Sequence, residues 1–206
     1  MSLTPTFGRT LIAIPDTRPL ARASWATLMV ALGVAFLAAT AQVRIPIPGS
    51  PVPITGQTFG VLLLAAAYGS RLGGTTVAAY LVVGLAGAPI FQSGGFGMAA
   101  LRGATGGYLI GFLAAAWIVG ELAEHGWDRK PYLVVAAMIL GNVVIYMCGV
   151  THLANVRLPS GAAIGWGRVW ALGVAPFLIG DAIKIAIAAG LLPLAWRLKQ
   201  RGAPRG

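Results

Sequence analysis

Six apolar runs divide this 206-residue chain, and they constrain its fold more than any other feature. The runs cover roughly residues 24–42, 56–69, 72–86, 105–123, 131–151 and 169–196. A helix needs roughly 20 mostly apolar residues to cross a bilayer. Only 10% of the residues are charged, whereas a soluble domain carries about 25%. The sequence therefore predicts an all-α integral membrane protein with six transmembrane helices, of which the second and third are short.

The basic residues between these runs predict the orientation of the chain. If the N-terminus is cytoplasmic, most Lys and Arg residues fall on the inner side, as the positive-inside rule requires. The inner set is Arg9, Arg18, Arg22, Arg71, Arg129, Lys130, Arg197, Lys199, Arg201 and Arg205, and the outer set is Arg44, Arg102, Arg157 and Arg168. We therefore expect a multi-pass cell-membrane protein with both termini in the cytoplasm. Residues 1–23 form a cytoplasmic tail, 24–198 the six-helix membrane domain, and 199–206 a basic cytoplasmic tail.

The formal net charge of +10 raises the question of a nucleic-acid partner. The basic residues are scattered between apolar segments instead of clustering on one surface, so nucleic acid is not expected to bind. The lipid bilayer is the partner that the composition implies.

In this orientation the odd-numbered loops lie outside, and they are long and unusual. The first loop has four prolines between residues 44 and 55, which favour extended backbone. The third loop, residues 87–104, is too apolar for an ordinary surface loop and too rich in glycine for a helix. Non-helical backbone at membrane depth is tolerated only where protein or a cavity satisfies it. We therefore expect partly buried outer loops that enclose a ligand.

Two charged residues lie inside the last apolar run. A charge near the centre of a membrane helix costs roughly 2.5–3.5 kcal/mol, so its presence favours a functional site. The spacing of three places Asp181 and Lys184 on one helix face, close enough to pair. Lys184 could bind a carboxylate, and Asp181 could accept hydrogen bonds from N–H groups of a ligand. The alternative is a pair that only ties this helix to its neighbours.

Other polar and aromatic residues are weaker candidates. Gln92 lies in the third loop, and its amide suits a neutral polar group. Tyr108 opens the fourth run and could close the site from the side. Asn142 and Tyr146 lie one turn apart on one face of the fifth run, where they could bind ligand or, with a slight preference, hold helices together. Gln57 could equally face the cavity or bond the preceding loop.

Small residues recur every four positions in the first run, at Ala31, Ala35 and Ala39. This spacing lets another helix approach closely. The partner helix could belong to this chain or to a different subunit.

No catalytic or metal-binding pattern is present in the sequence. Apart from Glu121 at the end of the fourth run, Asp181 is the only carboxylate inside an apolar run, and no nucleophile is placed beside a base. His125 and His152 lie on opposite predicted sides of the membrane, which disfavours a histidine metal site. We expect neither an enzyme nor a resident cofactor.

Five segments taken together are similar to the BioY family, the biotin-binding S component of energy-coupling-factor (ECF) transporters. They are residues 51–59 (PVPITGQTF), 87–91 (GAPIF), 94–97 (GGFG), 105–112 (TGGYLIGF) and 180–184 (GDAIK). The resemblance extends over roughly residues 24–196 and implies six helices with an outward-facing biotin site under the odd-numbered loops. One departure is Ala104, where the family usually has proline.

The resemblance also implies roles for individual residues. The family's binding residues correspond to Asp181 and Lys184, and less closely to Gln92 and Tyr108. Lys184 would meet the carboxylate of biotin, Asp181 would support Lys184 or accept from a ureido N–H, and Phe91 would flank the ring. The sequence does not decide between these two roles of Asp181.

The partners follow from the same resemblance. The alanine stripe would dock on a transmembrane coupling subunit, and separate chains would supply the ATPase, because this chain has no nucleotide-binding motif. Some members of the family work without those chains, and a homo-oligomer is then an alternative. The expected function is high-affinity biotin binding for uptake, and the alternatives are another vitamin or small carboxylate, a membrane-embedded enzyme, or an assembly subunit without a ligand.

Overall fold

The structure is a computed structural model that describes residues 6–7, 19–157 and 163–202. The helices are α1 (Pro19–Gln42), α2 (Gln57–Tyr68), α3 (Ser70–Leu85), α4 (Gly97–Arg102), α5 (Gly106–Glu124), α6 (Pro131–Asn155), α7 (Trp166–Gly173) and α8 (Leu178–Gly202). Two short strands, β1 (Arg44–Ile45) and β2 (Ile54–Thr55), form an antiparallel hairpin. Short 3₁₀ turns occupy Gln92–Gly94, Trp127–Arg129 and Ala175–Phe177. The described chain is therefore mostly helical.

Each of the six apolar runs contains a helix, but their lengths differ. Within the described residues, four helical segments are long and apolar enough to cross a membrane: Leu20–Gln42, Gly106–Glu124, Pro131–Asn155 and Trp166–Gln200. Helix α2 has 12 residues and α3 has 16, fewer than the roughly 20 that a straight span needs. Gly69 separates α2 from α3 with φ of +86°, a conformation that disfavours any residue with a Cβ.

The first and third loops contain more regular structure than their sequences indicate. The two ends of the proline-rich first loop are extended and pair as β1 and β2, with Arg44 opposite Thr55. The prediction that the third loop is too rich in glycine for a helix was wrong for Gly97–Arg102, which forms α4. Most of the loop's glycines precede this segment, and Gly97 stands at its first position, where helix propensity matters least.

Helix α5 lies at the centre of the bundle and contacts α2, α3, α4 and α6. Helix α8 packs on α6 and α2. Helix α1 lies at the side of the bundle, where it packs on α2 and α3 through buried Leu37 and Ala41. This arrangement surrounds the start of α2 with α5, α6 and α8.

The far end of α8 is fastened to the connector between α5 and α6. The indole Nε1 of Trp196 donates to Asp128 Oδ2 at 2.6 Å. The guanidinium carbon of Arg129 lies 4.5 Å from the centroid of the same indole ring. Asp128 is buried, and its desolvation raises the pKa of the carboxyl, although the Trp196 hydrogen bond and Arg129 act in the opposite direction.

Candidate functional site

A cavity lies between the start of α2, the start of α5, α6 and the start of α8, under the first and third loops. Its apolar and aromatic lining consists of Val52, Pro53, Phe91, Tyr108, Leu109, Phe112 and Phe177. Its polar lining consists of Thr55, Gln57, Thr58, Gln92, Thr105, Tyr146, Asp181 and Lys184. A mostly apolar pocket with a few convergent polar groups is typical of a small-molecule site.

The charged pair is formed as the sequence predicts. Lys184 Nζ lies 3.1 Å from Asp181 Oδ1 and donates to Thr58 Oγ1 at 2.8 Å. The Tyr146 hydroxyl donates to the other carboxylate oxygen, Asp181 Oδ2. Asp181 also lies in the first turn of α8, where the helix dipole favours a negative charge. The pair therefore connects α8 to α2 and α6, and it lines the pocket at the same time.

Two aromatic side chains form walls of the pocket. The Tyr108 hydroxyl donates to the carbonyl of Gly173 at 2.8 Å, which fixes the ring between α5 and α7. Gly149 of α6 lies so close to this ring that a Cβ there would overlap it. Phe91 is 2% exposed and packs edge-on against Tyr80, with ring centroids 5.3 Å apart. Both predicted wall residues are thus held by tight packing.

The position of Phe91 depends on how the third loop satisfies its own backbone. The Phe91 N–H donates to the carbonyl of Gly95 at 3.0 Å. Its carbonyl accepts from Gln42 Nε2 of α1 at 3.1 Å. The backbone of buried Phe91 therefore has its polar groups satisfied within the loop and by α1, which is the condition for irregular backbone at membrane depth.

The two glutamines both line the pocket. Gln92 lies in the 3₁₀ turn of the third loop, where its Oε1 accepts from the Ser93 hydroxyl at 2.8 Å. Gln57 is buried, and its Nε2 donates to the Tyr80 hydroxyl at 2.9 Å. Tyr80 in turn donates to the carbonyl of Ile90 at 3.1 Å. Gln57 therefore has both of the roles that the sequence left open, since it lines the cavity and its Oε1 accepts from the hydroxyl of Thr55 in the preceding loop at 3.3 Å.

Asn142 is not brought into the pocket. It is buried on α6, and its Oδ1 has no hydrogen-bond partner among the described residues. Tyr146, one turn further along the helix, is the residue of this face that lines the cavity. Thr58, Phe112 and Phe177 also line it, and no spacing or composition signal in the sequence singles them out.

The alanine stripe lies on the outer face of α1. Ala31, Ala35 and Ala39 are all exposed, whereas Leu37 and Ala41 on the opposite face are buried. The stripe therefore does not pack against another described element of this chain. Within the part of the chain that the structure describes, no group of three or more His, Cys, Asp or Glu side chains could hold a metal ion.

Comparison with known proteins places this architecture among biotin transporters. The model of the BioY family matches residues 16–201. A probable biotin transporter BioY of Pyrococcus horikoshii is 35% identical over 160 residues, which are 78% of this chain and 89% of that protein. The biotin transporter BioY of Rhizobium etli is 36% identical over 68% of this chain and 75% of its own length. The biotin transporter BioY of Thermotoga maritima is 36% identical over 76% and 86%.

A solved structure shares the fold. It is the crystal structure at 2.1 Å of the S-component for biotin from an ECF-type ABC transporter, with a TM-score of 0.67. The alignment covers 93% of this chain and 97% of that chain at 21% identity, so it shows the fold alone.

Proposed function

The chain belongs to the BioY family, and we propose that it is a high-affinity biotin-binding membrane protein that mediates biotin uptake as the substrate-binding component of an ECF-type transporter. The observation that carries the proposal is the largely buried Asp181–Lys184 pair in the lining of a pocket with aromatic walls. The curated relatives are named biotin transporters, so the family is one of transporters and not of enzymes. Biotin is then the transported ligand and not a cofactor.

The pocket suits the three chemical parts of biotin. Biotin has a ureido group with N–H donors and a carbonyl acceptor, an apolar fused ring and a carboxylate tail. Phe91 and Tyr108 offer apolar faces to the ring. The ammonium group of lysine has three donors, of which Asp181 and Thr58 take two. One donor of Lys184 and the free acceptor capacity of Asp181 are thus available to a polar ligand group, and Gln92 offers a further amide.

The proposed arrangement in the membrane has six spans with both termini in the cytoplasm and the pocket facing outward. The hydropathy of the four long helices and the distribution of basic residues support it. Residues 1–23 and 199–206 would then be cytoplasmic tails around the membrane domain 24–198. A Ser93→Cys variant without Cys148 tests the orientation. An impermeant thiol reagent should label this cysteine from outside the cell, and biotin should reduce the labelling. Labelling only from inside would overturn the proposed orientation.

We assign the exposed alanine stripe of α1 to docking on a transmembrane coupling subunit, with the ATPase on further chains. Small residues at this spacing allow a short interaxial distance, and the stripe has no partner among the described elements of this chain. Purification with the coupling subunit present distinguishes this partner from a second copy of the same chain, because a homo-oligomer would form without it.

Titration calorimetry of the purified protein tests the function. We expect one biotin to bind per chain with high affinity. Binding of thiamine or riboflavin but not biotin would assign the pocket to another vitamin. If none of biotin, thiamine and riboflavin binds, the proposed function is refuted.

A further inference from the structure

Helix α7 presents two large aromatic side chains to its surroundings. Trp166 is 64% exposed and Trp170 is 61% exposed. Because they lie four residues apart, both indoles are on one face of the helix. Val169 and Gly173 are buried on another face, which packs against α6. An exposed apolar patch of this kind marks a surface that binds a partner.

The position of α7 along the bundle places this surface at the end of two membrane spans. Helices α6 and α8 have 25 residues each, and at ~1.5 Å per residue each extends roughly 37 Å, longer than the ~30 Å hydrocarbon core. Non-helical Val174 and the following Pro176 separate α7 from α8. The N–H of Gly165, just before α7, donates to the carbonyl of Ala154 in the last turn of α6 at 3.0 Å. Helix α7 therefore lies level with the ends of both spans, where a bilayer meets water.

The residues of α7 suit a lipid interface. Tryptophan is enriched at this depth because its ring is apolar and its N–H is polar. Arg168 is exposed and lies two residues from each tryptophan, so it is about 160° round the helix from them. Basic residues on one side and tryptophans on the other are typical of a helix that lies in the interface. Along the chain, the exposed apolar surface continues at Leu178 and Ile179 of α8.

The last turn of α7 is joined to the walls and the cover of the pocket. The Tyr108 hydroxyl donates to the carbonyl of Gly173 at 2.8 Å. The Ser50 hydroxyl of the first loop donates to the carbonyl of Leu172 at 2.7 Å and accepts from the N–H of Val52, which lines the pocket. A movement of α7 would therefore displace a wall of the pocket and the first loop together.

We propose that the Trp166–Trp170 face of α7 binds the lipid bilayer at its interface with water, and that this contact holds the cover of the pocket in place. When α7 leaves the interface, the pocket loses its binding-competent form for part of the time. The apparent dissociation constant then rises by the reciprocal of the competent fraction. The consequence for biotin rests on the proposed function, whereas the lipid contact does not.

Fluorescence quenching in phosphatidylcholine nanodiscs tests the lipid contact. The lipids carry a spin label at the headgroup in one preparation and bromine atoms near the middle of the acyl chains in the other. Trp166→Ser combined with Trp170→Ser should remove emission that the headgroup label quenches. The matched control is Trp117→Leu, since Trp117 is 52% exposed in the middle of α5 and its emission should respond to the bromines instead. If the double variant removes only emission that neither label quenches, water or a second protein covers this face, and the inference is wrong.

Calorimetry with biotin in the same nanodiscs tests the coupling to the pocket. The double serine variant should bind biotin about 10-fold more weakly than the parent, whereas Trp117→Leu should bind it unchanged. Trp166→Phe combined with Trp170→Phe keeps two apolar rings and should retain most of the parent's affinity. A double serine variant that loses its lipid contact but binds biotin like the parent would refute the coupling. If the parent itself binds no biotin, the proposed function falls, and the quenching result still decides whether α7 contacts lipid.

Discussion

Replacing Lys184 with Met removes one partner of the charge pair and leaves its surroundings in place. The ammonium loses its contact with Asp181 Oδ1 at 3.1 Å and its hydrogen bond to Thr58 at 2.8 Å. Asp181, whose side chain is 7% exposed, then keeps only the Tyr146 hydroxyl among the partners described here. Truncating one partner of such a pair at a binding site costs about 2–5 kcal/mol, which is roughly a 30-fold to several-thousand-fold loss of affinity.

The same change also lowers stability, and a double variant separates the two effects. Breaking a fully buried pair costs about 3–5 kcal/mol, because the remaining charge is buried without compensation. The Lys184 side chain is 19% exposed, so we expect a value at or below the lower end of that range. Asp181→Asn combined with Lys184→Met leaves no buried charge, so this double variant should regain most of the lost stability without regaining biotin binding.

Thermal unfolding in detergent and titration calorimetry on the parent, both single variants and the double variant give the complete cycle. A Lys184→Met protein that binds biotin like the parent would show that Lys184 only ties α8 to its neighbours. A double variant as unstable as the single one would show that loss of packing, and not the uncompensated charge, causes the destabilisation.

Three sites outside the charge pair give separate tests. Ala35→Trp on the exposed face of α1 should leave biotin binding largely unchanged and weaken co-purification with a coupling subunit. If the variant loses biotin binding but still forms the complex, the alanine stripe does not dock on the coupling subunit. Gly84→Ala places a methyl group against the Phe91 ring. Overpacking of this kind costs about 1–3 kcal/mol of stability, so both the melting temperature and the affinity for biotin should fall. If neither value changes, the ring moves aside without cost. Burial raises the pKa of Asp128 above its ordinary value of 3.8. The folded state therefore binds the proton more tightly than the unfolded state does. The contribution of this carboxyl to stability decreases as the pH rises from its ordinary pKa through its raised pKa in the folded state. Asp128→Asn should therefore melt above the parent at pH 7, with a gap that narrows on acidification, and a gap independent of pH would contradict this reading.

The helices and the charge pair could be predicted from the sequence because both depend on short-range patterns. An apolar run predicts a helix wherever it occurs, and a spacing of three places Asp181 and Lys184 on one face whatever surrounds them. The exposed alanines of α1 were also recognisable as a stripe. Whether their partner lies inside or outside the chain depends on how α1 packs, and the structure was needed to show that the opposite face, with Leu37, is the buried one.

The rest of the pocket lining and the loop structure depend on tertiary packing and could not be predicted from the sequence. Asn142 and Tyr146 share one face of α6, yet the cavity reaches only Tyr146. The other lining residues that belong to helices lie near the starts of α2, α5 and α8. Asn142 is one turn further from that end of the bundle, so it is buried below the cavity. A periodicity of four places two residues on one face but does not show how deep the pocket extends.

The structure also explains why so many glycines accompany a pocket made of large rings. Tyr108 lies directly against Gly149 and Gly173, and Phe91 lies against Gly84, at distances that leave no room for a Cβ. The Tyr108 hydroxyl and the Asp181–Lys184 pair are satisfied by groups of the protein itself. A ligand that enters therefore finds walls already in place and charges already paired, so little side-chain ordering remains to oppose binding. Preorganisation of this kind raises affinity by reducing the entropic cost of association.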